Sequence, residues 1–444
     1  MNLSAIRQQL AALDLRPAKS LGQNFLHDQN LAVWIVQQLA LTAEDHLVEI
    51  GPGLGALTES ALPLCGSAIL IEKDRRLAGA LRARFASDRV EVLNADALDY
   101  DPRELFPRAP AKLLGNLPYN ITSPVLFHFT DEPSPIERAV ITTQREFAER
   151  LAAHPRTKDY GALTLLVQRR WRVQNVRTIP GSVFFPAPQV ESAVLVLTPR
   201  PAGELPDCDG ALFRSLVRAG FSQRRKQLRK MISDRVPDWP ALATQIGATD
   251  TARAEELSLE QWIALANFVS PSPTAAQDVH GERFDVVDEN NVVERTATRH
   301  EVHTQKLRHR AVHVFVFNAA GELFLQKRSR WKDAHPGKWD SSAAGHVNAG
   351  QDYDETAARE VEEELGVRAP VEFVAKIAAC SHTGWEFVQL YRVQHNGPFV
   401  LCRAEIETGG FFPVPLIARW IAARPRDFAT GFLECFAVSA REER

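Results

Sequence analysis

Short apolar runs recur in the first part of the chain, each followed by a stretch of helical character. They are Leu47-Val48-Glu49-Ile50, Ala68 to Ile71, Val90 to Leu93, and Ala111 to Leu114. Such runs, closed by glycine or an acid, predict buried strands. Strands alternating with helices predict a doubly wound parallel α/β sheet that binds ligands at the carboxyl ends of its strands. Residues 1–20 predict an amphipathic helix and a basic turn, and Leu205 to Phe268 predicts a small helical region with Leu228 and Met231 at core spacing. The pattern then changes. Pro271-Ser272-Pro273-Thr274-Ala275-Ala276-Gln277 is a polar, proline-containing linker. Beyond it, Asp288-Glu289-Asn290-Asn291 predicts a hairpin turn, Val312 to Phe317 and Leu323 to Gln326 predict strands joined at Asn318–Gly321, and Arg359 to Leu365 predicts a helix closed by Gly366. The expected organisation is a nucleotide-binding-type sheet domain over 1–204, a helical subdomain over 205–270, a linker over 271–280 and a second α/β domain over 281–444.

The strand ends carry the chemistry. Gly51-Pro52-Gly53-Leu54-Gly55 is a tight loop whose glycines let backbone pass beneath a ligand without Cβ clashes. Glu72 ends the second strand, where a carboxylate can hold two ribose hydroxyls. Asp96-Ala97 ends the third, placed to read an adenine edge. The fourth delivers Gly115-Asn116-Leu117-Pro118-Tyr119. An aromatic amine is a poor nucleophile because its lone pair is delocalised. Two acceptors on one NH₂, the Asn116 side-chain carbonyl and a backbone carbonyl, draw that nitrogen toward tetrahedral geometry. Pro118 fixes the backbone, and Tyr119 offers a face on which a flipped base can stack.

Taken together, Val48-Glu49-Ile50-Gly51-Pro52-Gly53-Leu54-Gly55, Glu72, Asp96 and Asn116-Leu117-Pro118-Tyr119 resemble the S-adenosylmethionine-dependent adenine-N6 methyltransferases, with their Rossmann-like sheet. Leu21-Gly22-Gln23-Asn24-Phe25-Leu26 narrows this to the ribosomal RNA adenine dimethyltransferases. Phe185-Pro186-Ala187-Pro188-Gln189-Val190-Glu191-Ser192, Phe221-Ser222-Gln223-Arg224-Arg225-Lys226 and Glu255-Glu256-Leu257-Ser258 resemble the small-subunit branch, which acts on two adjacent adenines of 16S RNA. A large-subunit target is the alternative within the same chemistry, and a ribosome-assembly binding factor with incidental catalysis is a second. The resemblance implies that Gln23 and the loop of Gly51 and Gly53 line the methionine end of the cofactor, with Asn24, Leu26 and Asn116 also among the cofactor-binding residues. Glu72 takes its ribose, and Asp96 with Ala97 its adenine. It implies that Asn116 and the Leu117 carbonyl polarise the target amine while Tyr119 and Phe185 sandwich the base. Arg224, Arg225, Lys226 and Arg229, with Arg218 and Lys230, are candidates for RNA phosphate contact.

In the second half, Glu360, Glu363 and Glu364 lie at i, i+3 and i+4 and share a helix side. Adjacent carboxylates repel unless a divalent cation lies between them, and an oxygen-rich set suits Mg²⁺ or Mn²⁺. Gly345, Arg359, Glu360, Val361, Glu363, Glu364, Gly366 and Val367 fall at the offsets of the Nudix box, which the stretch resembles. Gln351 stands where the box has its first glutamate. The flanks, His309-Arg310-Ala311-Val312-His313 and Trp339 to His346, resemble the branch related to isopentenyl diphosphate isomerase, with His309 and His346 as implied metal ligands. That isomerase needs a cysteine where this chain has Ala344, so the resemblance implies hydrolysis of a nucleoside-diphosphate-type small molecule, with Glu360 in the catalytic set.

Composition sharpens this division. Of 444 residues, 31 basic and 30 acidic side chains precede residue 271, and 21 and 25 follow it, so the second half holds the acidic excess behind the net −3. The five cysteines lack CxxC spacing, which predicts a reducing, cytoplasmic setting without disulfides or a zinc ribbon. No signal-type apolar segment and no run long enough for a bilayer is present, so no membrane partner is expected.

Overall fold

The computed structural model describes residues 2–17, 23–118, 121–201, 203–236, 238–270, 281–330, 332–402 and 404–442. Tyr119 and the linker of 271–280 lie outside the described residues. The chain divides into two compact units, residues 1–206 with 210–270, and 207–209 with 271–444.

The first unit is built on a seven-stranded sheet. In chain order its strands are β1 (His46–Ile50), β2 (Ser67–Glu72), β3 (Val90–Asn94), β4 (Ala111–Asn116), β5 (Ile136–Gln144), β6 (Trp171–Ile179) and β7 (Ser192–Pro199). Their spatial order is 3-2-1-4-5-7-6. The first five run parallel, but β7 inserts antiparallel between β5 and β6. The expectation of an all-parallel sheet therefore fails at this edge, where two strands follow one another without a crossover helix. The central strands are apolar throughout because both faces are covered. Leu47 packs into one layer with Leu70 and Leu114, while Val48 and Ile50 pack into the other with Ile71 and Leu113. Chain order reverses beside β1, between β1 and β4, and the carboxyl ends of β1 to β4 open there onto one cavity.

Local capping sets how chain enters and leaves that cavity. Asp28 caps the helix Gln29–Gln37 through the Leu31 N–H at 2.9 Å, and Asp74 caps Arg75–Phe85 through the Arg76 N–H at 2.9 Å. The helix after the glycine loop is only Thr58–Ala61, continued by a 3₁₀ turn through Pro63. Phe25–Leu26 pairs antiparallel with Phe184–Phe185, which brings two distant stretches together at the cavity. The amino-terminal helix Leu3–Ala12 buries Ile6 and Leu10 against Phe25, Leu54 and Leu77. In the carboxyl-terminal part of this unit, Gly210–Gly220, Trp239–Ile246 and Leu259–Val269 form a helical group in which Gly220 passes close to Trp262.

The second unit holds a seven-stranded mixed sheet: β8 (His309–Phe317), β9 (Glu322–Arg328), β10 (Trp339–Asp340), β11 (Ala343–His346), β12 (Glu372–Ile377), β13 (Glu386–Gln394) and β14 (Ile406–Pro413). The main path is 10-9-8-13-12, with β11 on β8 and β14 on β9. The hairpin expected around Asp288–Asn291 forms between Arg283–Val287 and Val293–Thr298. The helix Tyr353–Leu365 starts on an Asp352 cap and ends at Gly366, which adopts φ +70°. Its Ala357, Val361 and Leu365 join the sheet core, so Glu360 and Glu364 are also carried to the buried side.

Candidate active sites

The cavity of the first unit is lined by Gln23, Asn24, Leu26, Glu49, Gly51, Gly53, Glu72, Lys73, Asp96, Ala97, Asn116 and Pro118, among others. Residues predicted from four separate strand ends therefore meet in one place. Gly51, Gly53 and Gly55 all have φ between +60° and +80°, and a Cβ on Gly55 would meet the Phe85 ring at 2.6 Å. The loop is closed from inside by Glu72, whose carboxylate accepts the Gly53 N–H at 3.0 Å and the Asp74 N–H at 2.9 Å. Burial pushes the Glu72 carboxyl above its ordinary range, and those N–H groups oppose the shift. Asp96 accepts Lys73 Nζ at 2.6 Å and the Leu98 N–H at 3.0 Å, and the lysine holds it below the ordinary carboxylate range.

Asn116 is the last residue of β4, two residues beyond the apolar run that ends at Leu114, and it pairs with Thr142. Its Nδ2 donates to the Asn24 carbonyl at 3.1 Å. A carbonyl only accepts, so this bond fixes the amide orientation and leaves Oδ1 as the acceptor. The following chain is equally tied: the Leu117 N–H donates to the Thr142 carbonyl at 3.0 Å, and the Pro118 carbonyl accepts Thr122 Oγ1 at 3.0 Å. Phe185, half-buried, is held through its pairing with Phe25, with the Arg7 guanidinium 5.3 Å from its ring centre.

Two charged residues of this cavity had no role assigned from sequence, Glu49 and Lys73. Glu49 is 1% exposed, and burial pushes its carboxyl up to about 8, opposed by the hydroxyl of Thr58, which donates to Oε2 at 2.7 Å. The signal was a lone carboxylate in an otherwise apolar strand. Among the basic candidates, Arg224 is bound to Glu255 at 3.2 Å and to the Lys158 carbonyl at 2.7 Å, and Arg229 to Asp250 at 2.7 Å. These two brace the helical group, whereas Arg225 and Lys226 are exposed.

The second cavity is lined by Gly345, Glu360 and Glu363 of the predicted box and by residues the box does not contain: His303, Lys332, Glu386 and Glu405. Glu360 and Glu364 are buried, but Glu363 has a side chain 52% exposed, so the three do not share one environment. Arg359 bridges Glu360 at 2.8 Å and Glu363 at 2.7 Å. Glu364 accepts Gln326 Nε2 at 2.9 Å, and Glu405 pairs with Lys332 Nζ at 2.6 Å. Burial pushes Glu360 up to about 7, opposed by Arg359 and reinforced by Glu405 and Glu363. Burial followed by Glu405 pushes Glu364 well above its ordinary value. A Cβ on Gly345 would lie 2.2 Å from the Glu360 carboxyl carbon, which explains the glycine.

Beside the acids, ligand atoms of His303, His309 and His346 lie within 4.8 Å of one another. His309 Nδ1 donates to the Leu307 carbonyl at 2.9 Å, so its Nε2 presents a lone pair. That Nε2 is fully buried, has no hydrogen-bond partner, and faces Glu386 Oε1 at 3.6 Å. The same carboxylate oxygen receives His346 Nε2 at 3.1 Å. An orphaned lone pair beside a buried carboxylate fits a cation between them. His303 and Glu386 carry no local sequence signal; the helix Arg299–Gln305 and strand β13 bring them in.

Comparison with known proteins agrees with both halves. The profile described as Ribosomal RNA adenine dimethylase matches residues 15–270. The chain belongs to the ribosomal RNA adenine dimethylase family. Residues 307–429 match the NUDIX domain profile, so the second unit contains a NUDIX domain. Among curated relatives, Ribosomal RNA small subunit methyltransferase A of Bordetella pertussis is 38% identical over 251 residues, covering 56% of this chain and 92% of its own. The protein of that name from Bacillus cytotoxicus is 37% identical over 266 residues, covering 57% and 91%. The crystal structure of the 23S rRNA methyltransferase ErmE is 28% identical, covering 55% of this chain and 99% of its own, with a TM-score of 0.47. As an adenine dimethylase this chain is an S-adenosylmethionine-dependent enzyme, and it carries the NUDIX domain in addition. Among the described residues no helix is long and apolar enough to cross a membrane.

Proposed function

We propose that the first unit dimethylates N6 of two adjacent adenines in 16S RNA of immature small ribosomal subunits. The observation that carries the chemistry is the Asn116 amide, whose NH₂ is committed to Asn24 so that Oδ1 accepts from the target amine. With the Leu117 carbonyl as second acceptor, the nitrogen lone pair is freed from the ring. S-adenosylmethionine supplies an electrophilic methyl group. As the N–C bond forms, the C–S bond breaks and its electrons stay on sulfur. The methylated nitrogen then loses a proton to water, so no protein base is required. Rate comes mainly from holding amine and methyl in line.

In this reading Glu72, already fixed by two backbone donors, takes the ribose hydroxyls, and Asp96 takes the adenine amine beside Lys73. Gln23, Asn24, Leu26 and the loop of Gly51 and Gly53 border the methionine end. Phe185 covers one face of the flipped base. Arg225 and Lys226 supply phosphate contact, while Arg224 and Arg229 act structurally. The small-subunit target is favoured by the likeness to relatives of that name. The test is transfer of labelled methyl from S-adenosylmethionine to immature small subunits and, in parallel, to large subunits. Incorporation into the small subunit alone is expected, and incorporation into the large subunit alone would overturn the target.

For the second unit we infer a metal-dependent diphosphate hydrolase. Glu360, Glu364 and Glu405, with Glu363 at the rim, fit an oxygen-favouring cation such as Mg²⁺ or Mn²⁺, which supplies charge neutralisation at a diphosphate and an activated water. Arg359 and Lys332 hold the acids apart. His303, His309, His346 and Glu386 fit a second, nitrogen-accepting cation. Ala344 offers no thiol, which removes the acid/base group an isomerase would use. A panel of nucleoside and other diphosphates with Mg²⁺ and Mn²⁺ tests this, and phosphate release lost in Glu364→Gln is the expected result.

A further inference from the structure

Glu49 is the one buried acid of the first cavity that the methyl-transfer scheme leaves unused. It lies at the carboxyl end of β1, lines the cavity beside Gly51 and Gly53, and is 1% exposed. One oxygen, Oε2, receives Thr58 Oγ1 at 2.7 Å. The charged and titratable groups facing it are few. Glu72 stands across the glycine loop and adds repulsion, and Cys65 lies within electrostatic reach on the other side. Lys73, the cation lining the cavity, is engaged by Asp96 at 2.6 Å. Two buried carboxyls thus share a cavity whose lysine is paired elsewhere.

The two forms of the cofactor differ by one charge. S-adenosylmethionine carries a fixed sulfonium cation, and the thioether left after transfer does not. A buried carboxyl that is neutral in the protein alone gains more from ionising when the sulfonium cation arrives than when the thioether does, since the amino and carboxylate groups are common to both ligands. We propose that Glu49 distinguishes the sulfonium cofactor from its thioether product by giving up its proton to solvent when the cation enters, and taking one back after methyl transfer. Glu49 is here a specificity-determining residue for the charge state of the cofactor, not for its shape. It favours product release, because the ionised carboxylate that held the sulfonium has no partner once the charge has left. This rests on the reading of the cavity as the S-adenosylmethionine site.

The sign of the pH effect follows. Burial holds the Glu49 carboxyl up at about 8, so it is largely protonated at pH 7. Sulfonium binding requires the ionised form and strengthens as pH rises toward 8, by up to about tenfold per unit. Thioether binding does not follow that slope.

The experiment is calorimetric titration of the full chain with S-adenosylmethionine and with S-adenosylhomocysteine, in buffers of different ionisation enthalpy, from pH 6 to 8.5. Wild type is expected to release close to one more proton with the sulfonium than with the thioether at pH 7, and Glu49→Gln to remove that excess. Comparing variant with wild type cancels protons exchanged by the cofactor's own amino group. Equal release for the two ligands, or an excess that persists in Glu49→Gln, overturns the proposal. Thr58→Val keeps the carboxyl but removes the donor that favours its charged form. It should move the excess to higher pH, and an unmoved profile counts against Glu49 even if Glu49→Gln does not fold. Folded protein that binds neither ligand overturns the cofactor reading itself, a different outcome from binding without differential proton release.

Discussion

The two cavities satisfy their acids in opposite ways. In the first, Glu72 accepts two backbone N–H groups and Asp96 a lysine and an N–H, so the ligand frame is complete within the protein. In the second, burial pushes the carboxyls of Glu360 and Glu364 up, Glu405 beside them is held below its ordinary range by Lys332, and the His309 lone pair has no donor. The first is built for an organic ligand that brings its own hydrogen-bonding groups. The second is incomplete until a cation arrives, since buried charges of one sign are costly unless paired. Two units on one chain therefore differ in what they ask of solution.

The largest effect that sharpens this comparison is on Asn116. Asn116→Ala should lower methyl transfer on the order of 100- to 1000-fold, as loss of one preorganised polar contact does, with cofactor affinity changed only slightly. Single-turnover methylation beside calorimetric binding separates the two. Diphosphate hydrolysis by the same variant should be untouched. Next, Glu364→Gln should lower Mg²⁺-dependent hydrolysis about 100-fold, comparable to losing a metal-site residue, and leave methylation unchanged. A variant that lowers both activities would break the claim that each cavity stands on its own residues.

Gly345→Ala tests the packing of the second cavity without altering any acid. The added methyl meets Glu360 at 2.2 Å, so the carboxylate must move. About 1–3 kcal/mol of stability should be lost, the range for overpacking, together with the metal-induced rise in Tm. A pH-dependent effect belongs to Glu49. Its folded-state carboxyl titrates near 8 and its ordinary value is 4.5, so the native state holds a proton that the unfolded chain releases between those values. Stability from this group is present below 4.5 and is lost as pH rises to 8, with one proton released on unfolding across that window. Glu49→Gln should therefore gain stability relative to wild type as pH is raised from 5 to 8, read by denaturant titration without cofactor. The smallest effect is at the surface. Arg225→Ala and Lys226→Ala should each reduce the salt slope of RNA binding by about 1 with little change in Tm, whereas Arg224→Ala should lower Tm instead.

The same contrast decides what could be read from sequence. Each group of the first cavity sits at the end of an apolar run, so strand prediction located Gly51, Glu72, Asp96 and Asn116 together, and the sheet order then placed them side by side. The insertion of β7 between β5 and β6 was missed, because antiparallel pairing is a tertiary choice that periodicity does not encode. Glu49 was visible as an acid inside a strand, but its neutrality depends on burial from both layers. In the second cavity the helix supplied Glu360 and Glu364 by spacing alone. Glu405, Glu386, His303 and Lys332 come from separate elements, and nothing local marks them. Spacing also placed Glu363 with its neighbours, although the helix turns it partly to solvent.

The measurement that bears most directly on the first unit is nucleoside mass spectrometry of 16S RNA from immature small subunits, after incubation with the full chain and S-adenosylmethionine, with positions mapped by primer extension. The account predicts N6,N6-dimethyladenosine at two adjacent positions, absent with Asn116→Ala. Folded, cofactor-binding protein that leaves every adenine unmodified, or stops at one methyl on a single base, would contradict it.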